Sequence, residues 1–254
     1  MSKHHPNQLS DEDKTKIIEL HNKFPEKDAK RLWKLNLLNY SYYQILSVFK
    51  DRGIKINTAR GGGYNKKEVF NFLESLDDTS YYWIGYIAAD GNLSTRLYNV
   101  SLTSKDKEIL VEFRNVLRQP SLALHKRTGV DVYTIIFSDK TIYEALFNLG
   151  ITPRKSMTLK YTGEINWNFI RGYFDGNGYV SKNGNRCKFT TGSEELAKQI
   201  TEFLISEGVD ASNIKDDNHF DVYILAKNLN LFKEKLYRNA TFCMTRKKER
   251  MGVI

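Results

Sequence analysis

Apolar and polar residues follow two periods along this chain. The 3.6-residue period of helices comes first, and after residue 78 it alternates with the two-residue period of strands. The opening sixty residues read as three short helices, DEDKTKIIELHNKF, EKDAKRLWKLN and YSYYQILSVFKDRG, broken at Pro25 and at Leu37-Leu38-Asn39. In the third, Tyr42, Ile45, Leu46 and Phe49 keep helical spacing while Gln44, Lys50 and Arg52 face outward, the pattern of a helix-turn-helix-like module or of any small three-helix bundle. Arg60 to Lys67, RGGGYNKK, has the composition of a flexible connection. With no strand before it and no GK[ST] after it, it does not read as a phosphate-binding loop.

Beyond this linker the pattern repeats. YYWIGYIAADG, LYNVSLT, KDKEILVEFRNVL, SLALHKR, VDVYTIIF and KTIYEALFNLG are followed in the same order by WNFIRGYFDGNG, RCKFTTG, SEELAKQITEFLISEG, ASNIKD, HFDVYIL and KNLNLFKEKLY. Each series is read as helix, two strands, helix, two strands, helix, although only one strand-like segment stands out between its first two helices. Gly85 and Gly172 are equivalent points 87 residues apart. The expected fold is therefore α+β: two pseudo-symmetric αββαββα repeats over residues 79–163 and 164–254, preceded by a small all-α domain (1–60) and a linker (61–78).

The leading helix of each repeat carries small residues four apart, Gly85 and Ala89 in one and Gly172 and Gly176 in the other, on one helical face. Glycine inside a helix costs about 0.5–1 kcal/mol relative to alanine, so a duplicated stripe of small residues predicts that the two helices pack directly on each other. The competing expectation is that each stripe packs on its own sheet. Five residues after each glycine stand Asp90 and Asn177, each followed by a glycine suited to a C-cap, Gly91 and Gly178. A carboxylate at the negative end of a helix is unfavourable without a cation, which makes Asp90 a candidate ligand for a hard divalent metal such as magnesium.

Charge narrows the partner. Thirty-nine Lys and Arg against thirty Asp and Glu leave a net charge of +9, which favours a polyanion. Two distant cysteines, Cys187 and Cys243, fit neither a disulfide framework nor a zinc site, and no apolar run approaches a membrane span, so an intracellular, cytoplasmic protein is expected. The Tyr and Phe residues in the alternating stretches read first as core and second as stacking platforms. On strands, alternation places Asn99, Ser101 and Thr103 on one face of the first repeat and Arg186, Lys188 and Thr190 on one face of the second. His125, Arg127, His219, Asp221 and Tyr223 extend these polar faces, as solvated strand residues or as base-reading ones.

At WIGYIAADG (Trp83 to Gly91) and IRGYFDGNG (Ile170 to Gly178) the chain resembles the LAGLIDADG homing endonucleases over most of its length after Ser80. The resemblance implies a monomer whose two sheets form a saddle over double-stranded DNA, reading a long asymmetric site with no obligate protein partner. A helix-turn-helix extension occurs in this family. The resemblance also implies divalent metal, magnesium or another, held by the last acid of each motif. That position is Asp90 in the first copy and Asn177 in the second, where an amide replaces the acid. Asp175 is the remaining acid of the second motif and a further candidate ligand. Lys155 in TPRKS and Lys247 in TRKKER match the functional lysines such proteins carry near their sites, and could serve equally as backbone-binding or solvated residues. Two roles are open: a metal-dependent nuclease that cuts both strands or only one, and a binding protein on the same fold, either a transcriptional regulator or an intron-RNA splicing cofactor.

Overall fold

In the computed structural model the described residues are 9–23, 32, 40, 42–54 and 69–253. The chain divides into two compact units, Met1–Asn65 and Lys66–Ile254. In the first unit, helices α1 (Asp11–Lys23) and α2 (Tyr42–Asp51) enclose a small core of Ile17, Leu32, Ile45, Val48 and Phe49. Of the expected middle helix only Leu32 is described, helical and buried; the rest of it, and the glycine-rich linker, lie outside the described residues. The α2 spacing leaves Lys50 and Arg52 exposed and Gln44 half-buried.

The second unit holds the duplicated architecture. Helix α3 (Asp78–Asp90) leads into β1 (Gly91–Ser94), β2 (Asn99–Ser104), α4 (Lys107–Val116), β3 (Leu124–Lys126), β4 (Tyr133–Ser138) and α5 (Lys140–Asn148). Helix α6 (Trp167–Asn177) leads into β5 (Gly178–Val180), β6 (Cys187–Thr191), α7 (Glu194–Ser206), β7 (Ala211–Asp216), β8 (His219–Ile224) and α8 (Leu229–Tyr237), and a last short helix α9 spans Thr245–Arg250. Two antiparallel four-stranded sheets result, with orders β1-β2-β4-β3 and β5-β6-β8-β7. Alternation buries one face of each: Val100, Leu102, Ile135 and Phe137 in the first sheet, Cys187, Phe189, Val222 and Ile224 in the second, all in one core with residues of the helices. The helices start where side chains cap them. Asp77 accepts from Ser80 N at 2.8 Å, and Asn166 from the amides of Asn168 and Phe169 at 3.1 Å each.

Helices α3 and α6 pack directly on each other, so the small residues mark a helix–helix seam and not two separate helix–sheet contacts. A Cβ placed on Gly85 would lie 2.1 Å from the carbonyl oxygen of Phe169, and one on Gly172 would lie 1.9 Å from that of Tyr82. Gly176 meets Ala89 Cβ at 2.4 Å by the same construction. Backbones this close leave no room for a side chain at Gly85 or Gly172, which explains why helix-weakening glycine stands in mid-helix. Aromatic rings close the seam on both sides: Tyr82 stacks on Phe242, and Phe169 stacks on Tyr161.

Candidate functional site

Gly91 and Gly178 do cap their helices, their amides donating to the carbonyls of Ile87 and Phe174. Their backbone is extended (φ −77° and −81°), so left-handed freedom is not the reason for glycine here. A Cβ would strike the Ile87 carbonyl oxygen at 2.5 Å or that of Phe174 at 2.4 Å, because the chain turns straight from helix into strand. The last helical residues, Asp90 and Asn177, are thus held at the abutting ends of α3 and α6.

Asp90 faces the last turn of α6, its carboxylate oxygen 3.4 Å from where a Cβ on Gly176 would stand. Among the described residues no hydrogen bond reaches this carboxylate. Its tip meets solvent, yet desolvation at the helix end pushes the acid above the ordinary aspartate range, against the pull of Lys247 and Lys155. Asn177 is half-buried and donates from Nδ2 to Tyr173 Oη at 3.3 Å, leaving its carbonyl oxygen as the free end of the amide.

Lys155 and Lys247 reach this centre from opposite repeats. Arg154, in left-handed backbone (φ 60°), turns the chain so that Lys155 enters a 3₁₀ turn and its buried ammonium donates to the carbonyl of Gly91. Lys247, on α9, donates to the carbonyls of Phe174 at 2.6 Å and Asp175 at 2.7 Å. Each lysine therefore binds the negative end of one central helix. Burial pulls both ammonium groups down to about 8, against the attraction of Asp90 and, for Lys247, of Asp175. Arg246, the neighbour of Lys247, forms a bidentate ion pair with Asp106 and ties α9 to the first repeat.

Asp175, the third expected ligand, lies inward of this edge. It is 1% exposed and turned into the seam, where Oδ2 accepts from Tyr82 Oη and Met244 N, both at 2.8 Å. Burial pushes it up to about 6, opposed by Tyr82, Lys247, Met244 and Arg171. Its work is to join α6, α3 and the C-terminal segment. Arg171 assists from the same helix, donating to the carbonyls of Phe242 and Leu236.

The sheet faces turned away from the helices carry most of the remaining expected residues. Asn99, Ser101 and Thr103 lie on the outer face of the first sheet with Asn92, Thr134, Ile136 and Ser138, and His125 continues the row beside Thr134. Thr103 and Thr134 hydroxyls are bonded at 2.9 Å. Arg127 is exposed just past β3. On the second sheet Lys188, Thr190, His219 and Tyr223 share the outer face, with Arg186 exposed at its edge. Asp221, expected among the base readers, is 1% exposed, its oxygens taken by Lys188, by Thr190 at 2.7 Å and by Tyr223 at 3.2 Å. The pattern did not single out Tyr179, Ile136 and Ile214, exposed on the same faces, since only strand register places Tyr179 opposite Lys188 and Ile214 opposite Asp221.

Residues 164–237 match the family model of the LAGLIDADG-like domain. A DNA-directed RNA polymerase subunit Rpo1C from Methanocaldococcus jannaschii is 25% identical over 204 residues, 77% of this chain and 23% of that protein. The chain spans at most about a quarter of the length of the curated relatives it matches. Among solved structures, a mesophilic variant of the homing endonuclease I-DmoI superposes with a TM-score of 0.51 at 18% identity, covering 64% of this chain and 97% of that one. The homing endonuclease I-WcaI, bound to its DNA recognition sequence, superposes with a TM-score of 0.51 at 15% identity, covering 68% and 85%. At these identities the likeness is one of fold.

Proposed function

From a chain that carries a LAGLIDADG-like domain within the two-sheet fold of the homing endonucleases, we propose a site-specific, metal-dependent DNA endonuclease that nicks one strand far faster than it cuts both. The observation that carries this reading is the unpartnered Asp90 carboxylate at the abutting helix ends, flanked by two buried lysines. Its donor set suits a hard cation: one carboxylate without a hydrogen-bonded partner among the described residues, and one amide oxygen from Asn177. Asp90 and Asn177 would hold a divalent ion such as magnesium, which when bound supplies Lewis-acid activation of water and stabilises the leaving oxygen. The chain's own residues do the rest. The sheet faces bind and orient the duplex, and the lysines hold the helix ends in place while adding positive potential where phosphate charge develops. The amide at Asn177 brings no charge to the second position, which favours one scission over two. That same amide supports a second reading, a DNA-binding regulator or splicing cofactor without cleavage. The test is a supercoiled plasmid carrying the DNA that flanks the gene, incubated with and without magnesium. Magnesium-dependent open circles, absent with Asp90→Asn, are expected; an unchanged plasmid that the protein nevertheless binds would establish the second reading.

A further inference from the structure

On the outer face of the second sheet one buried carboxylate decides what its neighbours offer to solvent. Asp221 Oδ1 accepts from Thr190 Oγ1 at 2.7 Å; Oδ2 accepts from Lys188 Nζ and from Tyr223 Oη at 3.2 Å. Burial pushes the acid up, but the bonds from Lys188 and Thr190 outweigh it and hold the group below the ordinary aspartate range, so it is an acceptor only. A hydroxyl has one proton. Thr190 and Tyr223 spend theirs on Asp221 and can show only lone pairs outward, whereas Lys188 keeps two further N–H donors on a side chain that is 24% exposed. Asp216 and His219 lie within reach of the same acid, but the Lys188 ammonium already occupies its Oδ2, so the cluster holds its cation internally.

We propose that this cluster is a preset reader of a G·C base pair, with Lys188 and the Thr190 and Tyr223 hydroxyls as the specificity-determining groups and Asp221 as the positioning residue that fixes their hydrogen-bond polarity. The inference rests on the DNA-binding reading given above. In the major groove a guanine shows two acceptors, N7 and O6, and its cytosine shows one donor, the N4 amino group. Two lysine donors beside a hydroxyl acceptor match that order. An A·T pair shows acceptor, donor, acceptor, and would set the lysine against the adenine amino group. The first sheet has no such acid-centred cluster among its described outer residues: Ser101 donates to the Asn92 carbonyl at 3.3 Å and Ser138 to Asn99 Oδ1, while in the Thr103–Thr134 pair either hydroxyl can be the donor.

The experiment is selection of bound duplexes from a randomised library by the full-length protein without divalent metal, followed by sequencing. The wild type is expected to enrich sites with a specified G·C position that Lys188→Met leaves unspecified. Replacing that guanine by 7-deazaguanine is then expected to weaken wild-type binding by about tenfold and to leave the Lys188→Met protein unaffected. Asp221→Asn, which turns one oxygen into a donor and frees a hydroxyl proton, is expected to change the base preferred at that position, with folding checked by thermal melting. Identical base profiles for wild type and Lys188→Met, or loss of specification at an A·T pair, would overturn the inference while leaving DNA binding intact. Enrichment of no sequence by the wild type would overturn the DNA reading and this one with it.

Discussion

Single side chains carry the chemistry of the helix ends. If Asn177 is what withholds the second scission, Asn177→Asp should accelerate linearisation of a nicked plasmid by about 100-fold or more, since one well-placed charged group in a catalytic centre contributes on that order. The backbone around it already matches the first copy, as both caps are extended glycines bonded back into their helices. A pre-nicked substrate at saturating protein separates this effect from the first scission and from binding, and an unchanged rate would remove Asn177 from the second position. Asp175 gives a different readout. Its folded value of about 6 lies above the ordinary 3.8, so the folded chain binds its proton more tightly than the unfolded chain does. That contribution is full below pH 3.8 and is lost as pH rises through about 6, by on the order of 3 kcal/mol at most. Urea unfolding of wild type and Asp175→Asn should therefore show a stability difference that moves in the variant's favour between pH 4 and pH 6 and is flat above pH 7. A difference independent of pH would mean that the acid is paired strongly enough to stay ionised in the seam.

At the scale of elements, the seam between α3 and α6 is the feature most exposed to mutation. Gly85→Ala or Gly172→Ala puts a methyl about 2 Å from a backbone oxygen, which only separation of the helices relieves. Each should lower stability by at least about 1–3 kcal/mol, seen as a drop in melting temperature, whereas alanine at exposed Gly129, where no atom lies within 4 Å of the added Cβ, meets only the strain of its left-handed backbone (φ 78°). This seam was legible in the chain because a glycine stripe inside an apolar helix has few physical causes, and duplicating it after 87 residues leaves helix–helix contact as the simplest. The longer strands were legible from alternation alone. Strands β1 and β5 were not: four and three residues leave no room for a period, and they form because the motif glycines turn the chain directly into pairing with β2 and β6. The site shows the same division. Asp90 and Asn177 stand out by spacing along one helix, but whether Asp175 faces the edge or the seam depends on Tyr82 and Met244, 93 and 69 residues away in sequence. Asp221 likewise looked like an exposed strand residue until Lys188 and Thr190 covered it.

For the molecule as a whole, the two outer sheet faces differ in kind, and that difference bears on how DNA would be held. Apart from His125 the strand residues on the face of the first sheet are uncharged, while the second presents Lys188 and the acids Asp216 and Asp221 and, at its edge, Arg186. Two unlike faces in one chain need no second copy and no palindrome, so sedimentation of the complex should give one protein per duplex on an asymmetric site; two proteins on one symmetric site would contradict it. Counterion release then separates the faces. Each phosphate neutralised by a side chain contributes about 0.9 to the slope of log K against log salt. If Arg186 rests on the backbone, Arg186→Met should flatten the slope by about that amount, and the exposed Lys50 and Arg52 of the first unit should behave alike if that unit grips DNA. Asn99→Ala and Thr103→Ala should lower affinity for the cognate duplex with the slope unchanged, because an uncharged group that reads a base edge releases no counterion. Lys188→Met distinguishes base reading from backbone binding by the same measure: a lysine already paired with Asp221 and aimed at guanine should cost affinity on the cognate site and little on random DNA, and its slope should fall by well under 0.9. A full unit of slope lost equally on both duplexes would make Lys188 a phosphate contact and leave the second sheet without its charged base reader.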